Sequence, residues 1–86
     1  MIREHIFVVD DSVLEFFAAC RKQEREELLR IFRFLAVSPS QSGDWIQRTQ
    51  SGREIHVKRF GHWQVSFWLD APVLELRVVD VKKVVL

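Results

Sequence analysis

One cysteine, three glycines and two prolines in 86 residues leave little with which to staple, ligate or punctuate a chain. A lone Cys20 excludes an internal disulfide framework and a multi-cysteine zinc site, and a core thiol is the expected role for it. His5, His56 and His62 fall on separate expected elements, with no H-x-x-x-H pair and no acidic cluster, so no metal is expected. Gly43, Gly52 and Gly61 stand singly. Neither G-x-x-x-x-G-K-[ST] nor G-x-G-x-x-G occurs, no cofactor is implied, and each glycine suits a turn. No apolar run approaches the roughly 20 residues that cross a bilayer. Only Ile6, Phe7, Val8 and Val9 precede Asp10-Asp11, too few for the hydrophobic region of a secretion signal, so a cytoplasmic protein is expected. A formal net charge of +1 is no footprint of a general nucleic-acid binder.

What is present is core-forming. Hydrophobic residues make up 48% of the chain and aromatics 12%, too apolar for a disordered tail. One domain is expected, burying about 60–65% of the surface that its unfolded chain exposes. Charge is unevenly spread: residues 1–44 hold six Lys/Arg against eight Asp/Glu, and residues 45–86 hold seven against four. A polyanion would therefore meet the C-terminal half.

The run His5 to Val9 is short, β-branched and apolar, which predicts a buried first strand ended by Asp10-Asp11. Ser12-Val13-Leu14-Glu15 has capping-box spacing and predicts a helix over about 13–20. A second helix over about 22–36 places Leu28, Ile31, Phe32 and Leu35 on one stripe. Its opening run, Arg21 to Glu27, predicts a solvated face with pairs such as Glu26 and Arg30. Ser38-Pro39 ends it, and a polar loop to Gly43 follows. From Asp44 the period becomes two, predicting strands over 45–50, 53–59, 63–69 and 74–79. The fold class is α+β, in the order β-α-α-β-β-β-β.

Residues opposite one another in a sheet share a face, so apolar partners select the register. A three-residue loop at 60–62 pairs Val57 with Val65 and Ile55 with Phe67; a two-residue loop would set Val57 against Ser66 and is rejected. A four-residue loop at 70–73 pairs Phe67 with Leu76 and Leu69 with Leu74. The helices then cover Ile46, Ile55, Val57, Val65, Phe67, Leu69, Leu74, Leu76 and Val78. The other face lines up Gln47, His56, Ser66 and Arg77, flanked by Trp45, Lys58 and Gln64 and by Glu54, Trp68 and Glu75. A sheet covered on one side must show polar groups on the other, which explains most of this face. Its two tryptophans also suit a contact surface or a base-stacking platform.

In detail, the helix exit Phe34-Leu35-Ala36-Val37-Ser38-Pro39, the hairpin from Gly52 to Trp68 with its alternating basic strand, and the last strand Val73 to Lys83 resemble the RelE/ParE toxin superfamily. That family comprises toxin components of bacterial toxin–antitoxin systems, and the resemblance spans nearly the whole chain. It implies an N-terminal strand, a two-helix hairpin and an antiparallel sheet of three to four strands. In the RelE branch it implies a metal-free endoribonuclease that cuts mRNA on the ribosome, with the 2′-hydroxyl as internal nucleophile. Such a reaction needs a base, cations for the developing charge and an acid for the departing oxygen. The resemblance places catalytic positions at Glu54, His56, Lys58 and Arg77, with His56 the base and Lys58 and Arg77 the phosphate clamp. RNA contacts fall to Arg53, Arg59, Gln64, Trp68, Lys82 and Lys83. The family's usual C-terminal tyrosine has no counterpart, and Gln64 stands where an arginine follows the turn.

Three functions remain open on these residues: a ribosome-dependent RNA endonuclease, a ParE-like non-enzymatic inhibitor of DNA gyrase, and an inactive member kept as a protein-binding module. The partner that the resemblance implies is a cognate antitoxin protein, with the ribosome and mRNA, or alternatively DNA gyrase, as the target. Val84-Val85-Leu86 is an apolar end that a partner or the chain's own core could cover. Ser66 beside His56 has no oxyanion loop in sequence and is not taken as a nucleophile.

Overall fold

The computed structural model describes residues 5–38 and 41–85. The chain runs through β1 (Ile6–Val9), α1 (Asp11–Ala19), α2 (Lys22–Val37), β2 (Trp45–Arg48), β3 (Glu54–Phe60), β4 (Trp63–Asp70), a single 3-10 turn (Ala71–Val73) and β5 (Glu75–Lys83). The strands form one sheet in the order β1-β5-β4-β3-β2. Four strands pair antiparallel as expected, and β1 adds a fifth, parallel to β5, with Phe7 against Leu76 and Val9 against Val78. The helices lie on one side. Val13 of α1 and Leu28, Phe32 and Leu35 of α2 pack on Trp63, Val65, Phe67, Leu76, Val78 and Val81.

Both helices form where periodicity placed them, but their starts differ in mechanism. The Asp10 N–H still bonds strand β5 at Val78 O, 3.1 Å, while its carbonyl already accepts from Leu14 N–H at 3.0 Å. The strand therefore passes straight into the helix at Asp11. Ser12 sits inside the first turn, and the expected Ser12–Glu15 capping box does not form. The capping contact lies instead on α2, where the Arg21 N–H donates to Glu24 Oε1 at 2.9 Å. A guanidinium has no acceptor, so the box is one-sided.

The charged run at the start of α2 is not simply solvated. Glu24 Oε2 accepts from Lys83 Nζ at 2.8 Å, and Glu27 Oε2 accepts from the indole Nε1 of buried Trp63 at 2.9 Å. These bonds pin α2 to the far end of the sheet, whereas the expected Glu26–Arg30 pair is not among the ion pairs of the described residues. Lys83 first, then the Arg21 N–H, hold the Glu24 carboxyl below its ordinary value. A carboxyl depressed on folding stabilises above its unfolded range and loses that effect as pH falls through the folded one. In urea denaturation, Glu24→Gln should be less stable than the parent at neutral pH. The gap should close on acidification, and one that stays constant with pH would contradict the linkage. Cys20, half-buried against the core, has its thiol pushed up by burial first and by Glu24 next, which suits the expected inert role.

The main correction is the register of β3. The loop to β4 has two residues, Gly61-His62, with Gly61 at φ 61° in the first central position, where a type II′ hairpin turn takes glycine. Phe60 then pairs with Trp63, Lys58 with Val65, Val57 with Ser66 and His56 with Phe67. This is the arrangement that the alternation argument rejected. That argument assumed a single apolar face, whereas Ile55 and Val57 are buried on the face away from the helices, with Trp45 as the register partner of Val57. In exchange Phe60 reaches the helix side and meets Phe34 of α2, with ring centroids 6.2 Å apart. The loop before β5 keeps four residues but sits one position later, pairing Leu69 with Leu76 and Phe67 with Val78, so its faces survive. A bulge opposite Ser66/Phe67 then returns Val81 to the core three residues after Val78.

The expected stop at Pro39 lies outside the described residues, as does Leu86. No helix among the described residues is long and apolar enough to cross a membrane.

Candidate functional site

Glu54 and His56 are two apart on β3 and so share a face whatever the register. The observed register puts that face on the helix side, beyond the helices themselves, where the His56 ring stacks on Phe67 at 5.7 Å. The β3–β4 ladder begins only at His56–Phe67, so the two strands part beyond it. Their parting opens a cleft of about 360 Å³ lined by Arg53, Glu54, His56, Trp68 and the loop residues Gln41 and Ser42, with Phe67 and Leu69 behind them.

The loop before β2 is fixed to this cleft by backbone donors. Gly43 N–H donates to His56 Nδ1 at 3.0 Å, Asp44 N–H donates to Val57 O at 2.7 Å, and Arg59 N–H donates to Asp44 Oδ2 at 2.8 Å. Because Nδ1 accepts, the ring carries its proton on Nε2 in this arrangement. His56 is therefore presented as a donor, and the general-base role expected of it does not fit the bond it makes. Glu54 is the acceptor in the cleft. Its Oε1 takes a hydrogen bond from Arg48 at 2.8 Å, which orients the carboxylate.

Gly43 is required for steric reasons. A Cβ there would stand 2.7 Å from Val57 N, 2.9 Å from Trp45 O and 2.9 Å from His56 Cβ, two of which are backbone atoms that cannot swing away. Gly43→Ala should cost about 1–3 kcal/mol by overpacking, seen as a lower denaturation midpoint, and should shift the His56 ring resonances as the loop lifts. Unchanged stability would mean that the loop is not seated as described.

The cations divide into free and occupied ones. The Arg53 guanidinium lies 3.7 Å from the centroid of the Trp68 ring and has no carboxylate within ion-pair distance among the described residues. Arg77 is bound by Glu75 at 2.9 Å and lies 3.9 Å from Asp70, on the face opposite His56. It does not line the cleft that holds Glu54 and His56. Lys58 shares the face of His56 but is held 3.8 Å from Asp44. Lys83 is taken by Glu24, and Lys82 lies 3.9 Å from Asp80. Gln64 and Arg59 fall on the Arg77 side of the sheet, the first half-buried and the second with its Nε buried and unpaired. Of the ten residues expected from sequence, the structure brings Arg53, Glu54, His56 and Trp68 together and disperses the rest. Gln41, Ser42 and Gly43 were missed, and only the isolated Gly43-Asp44 step before a strand hinted at a close approach. No group of acidic, histidine and cysteine side chains that could hold a metal occurs among the described residues.

No protein-family model matches the chain, and no curated protein matches it. A chain of the archaeal RelE–RelB complex from Pyrococcus horikoshii OT3 superposes with a TM-score of 0.71 over 94% of this chain and 96% of that one, at 11% identity. A likeness at that identity is one of backbone and transfers no residue role. It comes from an archaeon, whereas the sequence pattern pointed to a bacterial family. Over nearly its whole length this chain therefore shares the fold of that chain of the RelE–RelB complex.

Proposed function

We propose that the chain is a RelE-type toxin, an endoribonuclease that acts on mRNA in the ribosome and is restrained by an antitoxin, in the cytoplasm. The observation that carries this reading is the cleft between the parted ends of β3 and β4, which combines an oriented carboxylate, an imidazole N–H and an unneutralised guanidinium. Glu54 takes the proton of the 2′-hydroxyl as its oxygen attacks the adjacent phosphorus. His56 Nε2–H and the Arg53 guanidinium donate to the non-bridging oxygens, whose charge rises in the transition state. The bond to the 5′-oxygen breaks, leaving a 2′,3′-cyclic phosphate, and that oxygen takes its proton from water. An antitoxin partner is supported by the similar chain having been crystallised in a RelE–RelB complex.

A second reading has its own support. Lys58, Arg77 and Lys83 are all engaged by carboxylates, which suits a non-enzymatic, ParE-like gyrase inhibitor better than an RNA clamp. Tightly controlled expression with pulse-labelling of protein and DNA synthesis separates the two. A prompt halt in translation, abolished by Glu54→Gln with His56→Ala, is the result expected of the endonuclease. DNA synthesis stopping first, with the double variant still toxic, would transfer the assignment to gyrase. A folded protein without effect on growth would leave a binding module.

A further inference from the structure

We infer that Arg53, lying over Trp68, is the plate on which an unpaired nucleobase of single-stranded RNA stacks, and that Trp68 is a positioning residue beneath it. The inference deepens the RNA-cleaving reading and rests on it for its biological setting.

An exposed tryptophan in a polar face is the sequence's obvious stacking platform, but one face of this indole is occupied. The Arg53 guanidinium carbon stands 3.7 Å from the ring centroid, within stacking distance, and the Arg77 carbon stands 5.7 Å from the same ring. Trp68 is half-buried while Arg53 is exposed, so the outer plane of this two-tier stack belongs to the guanidinium. Arg53 also forms a wall of two clefts, one of about 360 Å³ containing Glu54 and His56 and one of about 290 Å³ containing Arg77 and Thr49. A strand passing from one cleft to the other crosses Arg53.

The two arginines differ in what they can still do. Arg77 is neutralised by Glu75 and sits beside Asp70, whereas Arg53 has no carboxylate partner among the described residues. The Arg53 backbone is fixed as well, its N–H donating to Thr49 Oγ1 at 3.1 Å. A planar cation on an anchored backbone, backed by an indole and exposed to solvent, suits a base stacked above and a phosphate at its rim. Nothing in a guanidinium plane reads a base edge, so the plate should favour larger ring systems over a particular sequence.

The test is the affinity of the wild-type chain for fluorescein-labelled five-nucleotide RNAs, all-adenine and all-uracil, by anisotropy over a range of salt. Adenine should bind more tightly than uracil. Arg53→Lys keeps the charge and loses the plane, so it should leave the salt slope unchanged while weakening adenine binding roughly five- to hundredfold, the range that stacking contributes per base. Trp68→Ala should weaken binding in the same way, and Trp68→Phe should restore most of it. Full affinity in Arg53→Lys would overturn the proposal by making Arg53 a point charge. So would a Trp68→Ala defect that Phe does not repair, or a wild type that binds neither oligonucleotide but binds an acidic peptide. None of these outcomes depends on toxicity or RNA cleavage, so failure of the plate and failure of the endonuclease reading can be told apart.

Discussion

On the proposed endonuclease reading, Glu54→Gln should lower ribosome-dependent mRNA cleavage by about 10²–10⁴-fold, the share that a positioned general base commonly contributes. Gln keeps the length of the side chain and can still accept a hydrogen bond from Arg48, as Glu54 Oε1 does at 2.8 Å, so the cleft should keep its shape. What is lost is the group able to take the 2′-hydroxyl proton. The measurement is single-turnover cleavage of mRNA in programmed ribosomes, scored at the nucleotide level. His56→Ala should cost less, on the order of tenfold to a hundredfold, since the loss of one transition-state donor is smaller than the loss of the base and Arg53 remains. A Glu54→Gln protein as active as the parent would remove the base from this site.

Trp63→Ala should cost about 3–5 kcal/mol, the range for deleting a buried large aromatic, in a domain whose total stability is about 5–15 kcal/mol. Two effects combine. Trp63 is 2% exposed, and its edge meets Phe16 of α1 with centroids 6.1 Å apart, so truncation opens a cavity where α1 and α2 meet the sheet. The indole N–H also donates to Glu27 Oε2, which among the described residues would be left with His62 Nε2 at 3.6 Å. Trp63→Phe refills much of the volume and isolates the second effect, for which a loss of about 1–3 kcal/mol is expected. Guanidinium denaturation followed by circular dichroism gives both values, and a Trp63→Phe protein as stable as the parent would show that the Glu27 bond contributes nothing.

The helices and strands were legible because their signals are local. Leu28, Phe32 and Leu35 recur at helical spacing, and the strand runs alternate or are continuously β-branched. The register of β3 was not legible. Choosing between Val65 and Ser66 as the partner of Val57 required knowing that the sheet buries apolar side chains on both faces, a property of the assembled sheet and of no segment. The candidate site divided along the same line. Glu54 and His56 stayed together because an i, i+2 relation survives any slip, whereas Arg77 and Gln64 depended on the register and went to the other face. Arg53 and Trp68 met because the shifted register turns both to the face of Arg77 as diagonal neighbours, whereas the expected register had set them on opposite faces. Glu24 and Glu27 were hidden for a different reason. A charged run on a helix looks solvated until the strand end carrying Lys83 and Trp63 is placed beside it.

The order of the sheet also bears on how the molecule comes into being. β1 is made first, yet within the sheet it bonds only to β5, the last strand, from Ile6–Glu75 through Val9–Val78. Loop closure over nearly the whole chain must come before the pairing that rewards it, which slows folding. During synthesis the N-terminal strand and the two helices have no central strand to cover until the C-terminal residues emerge. The sheet is thus closed on this side only once β5 is available to both β1 and β4, so a chain that stops short of β5 leaves its first strand without a partner.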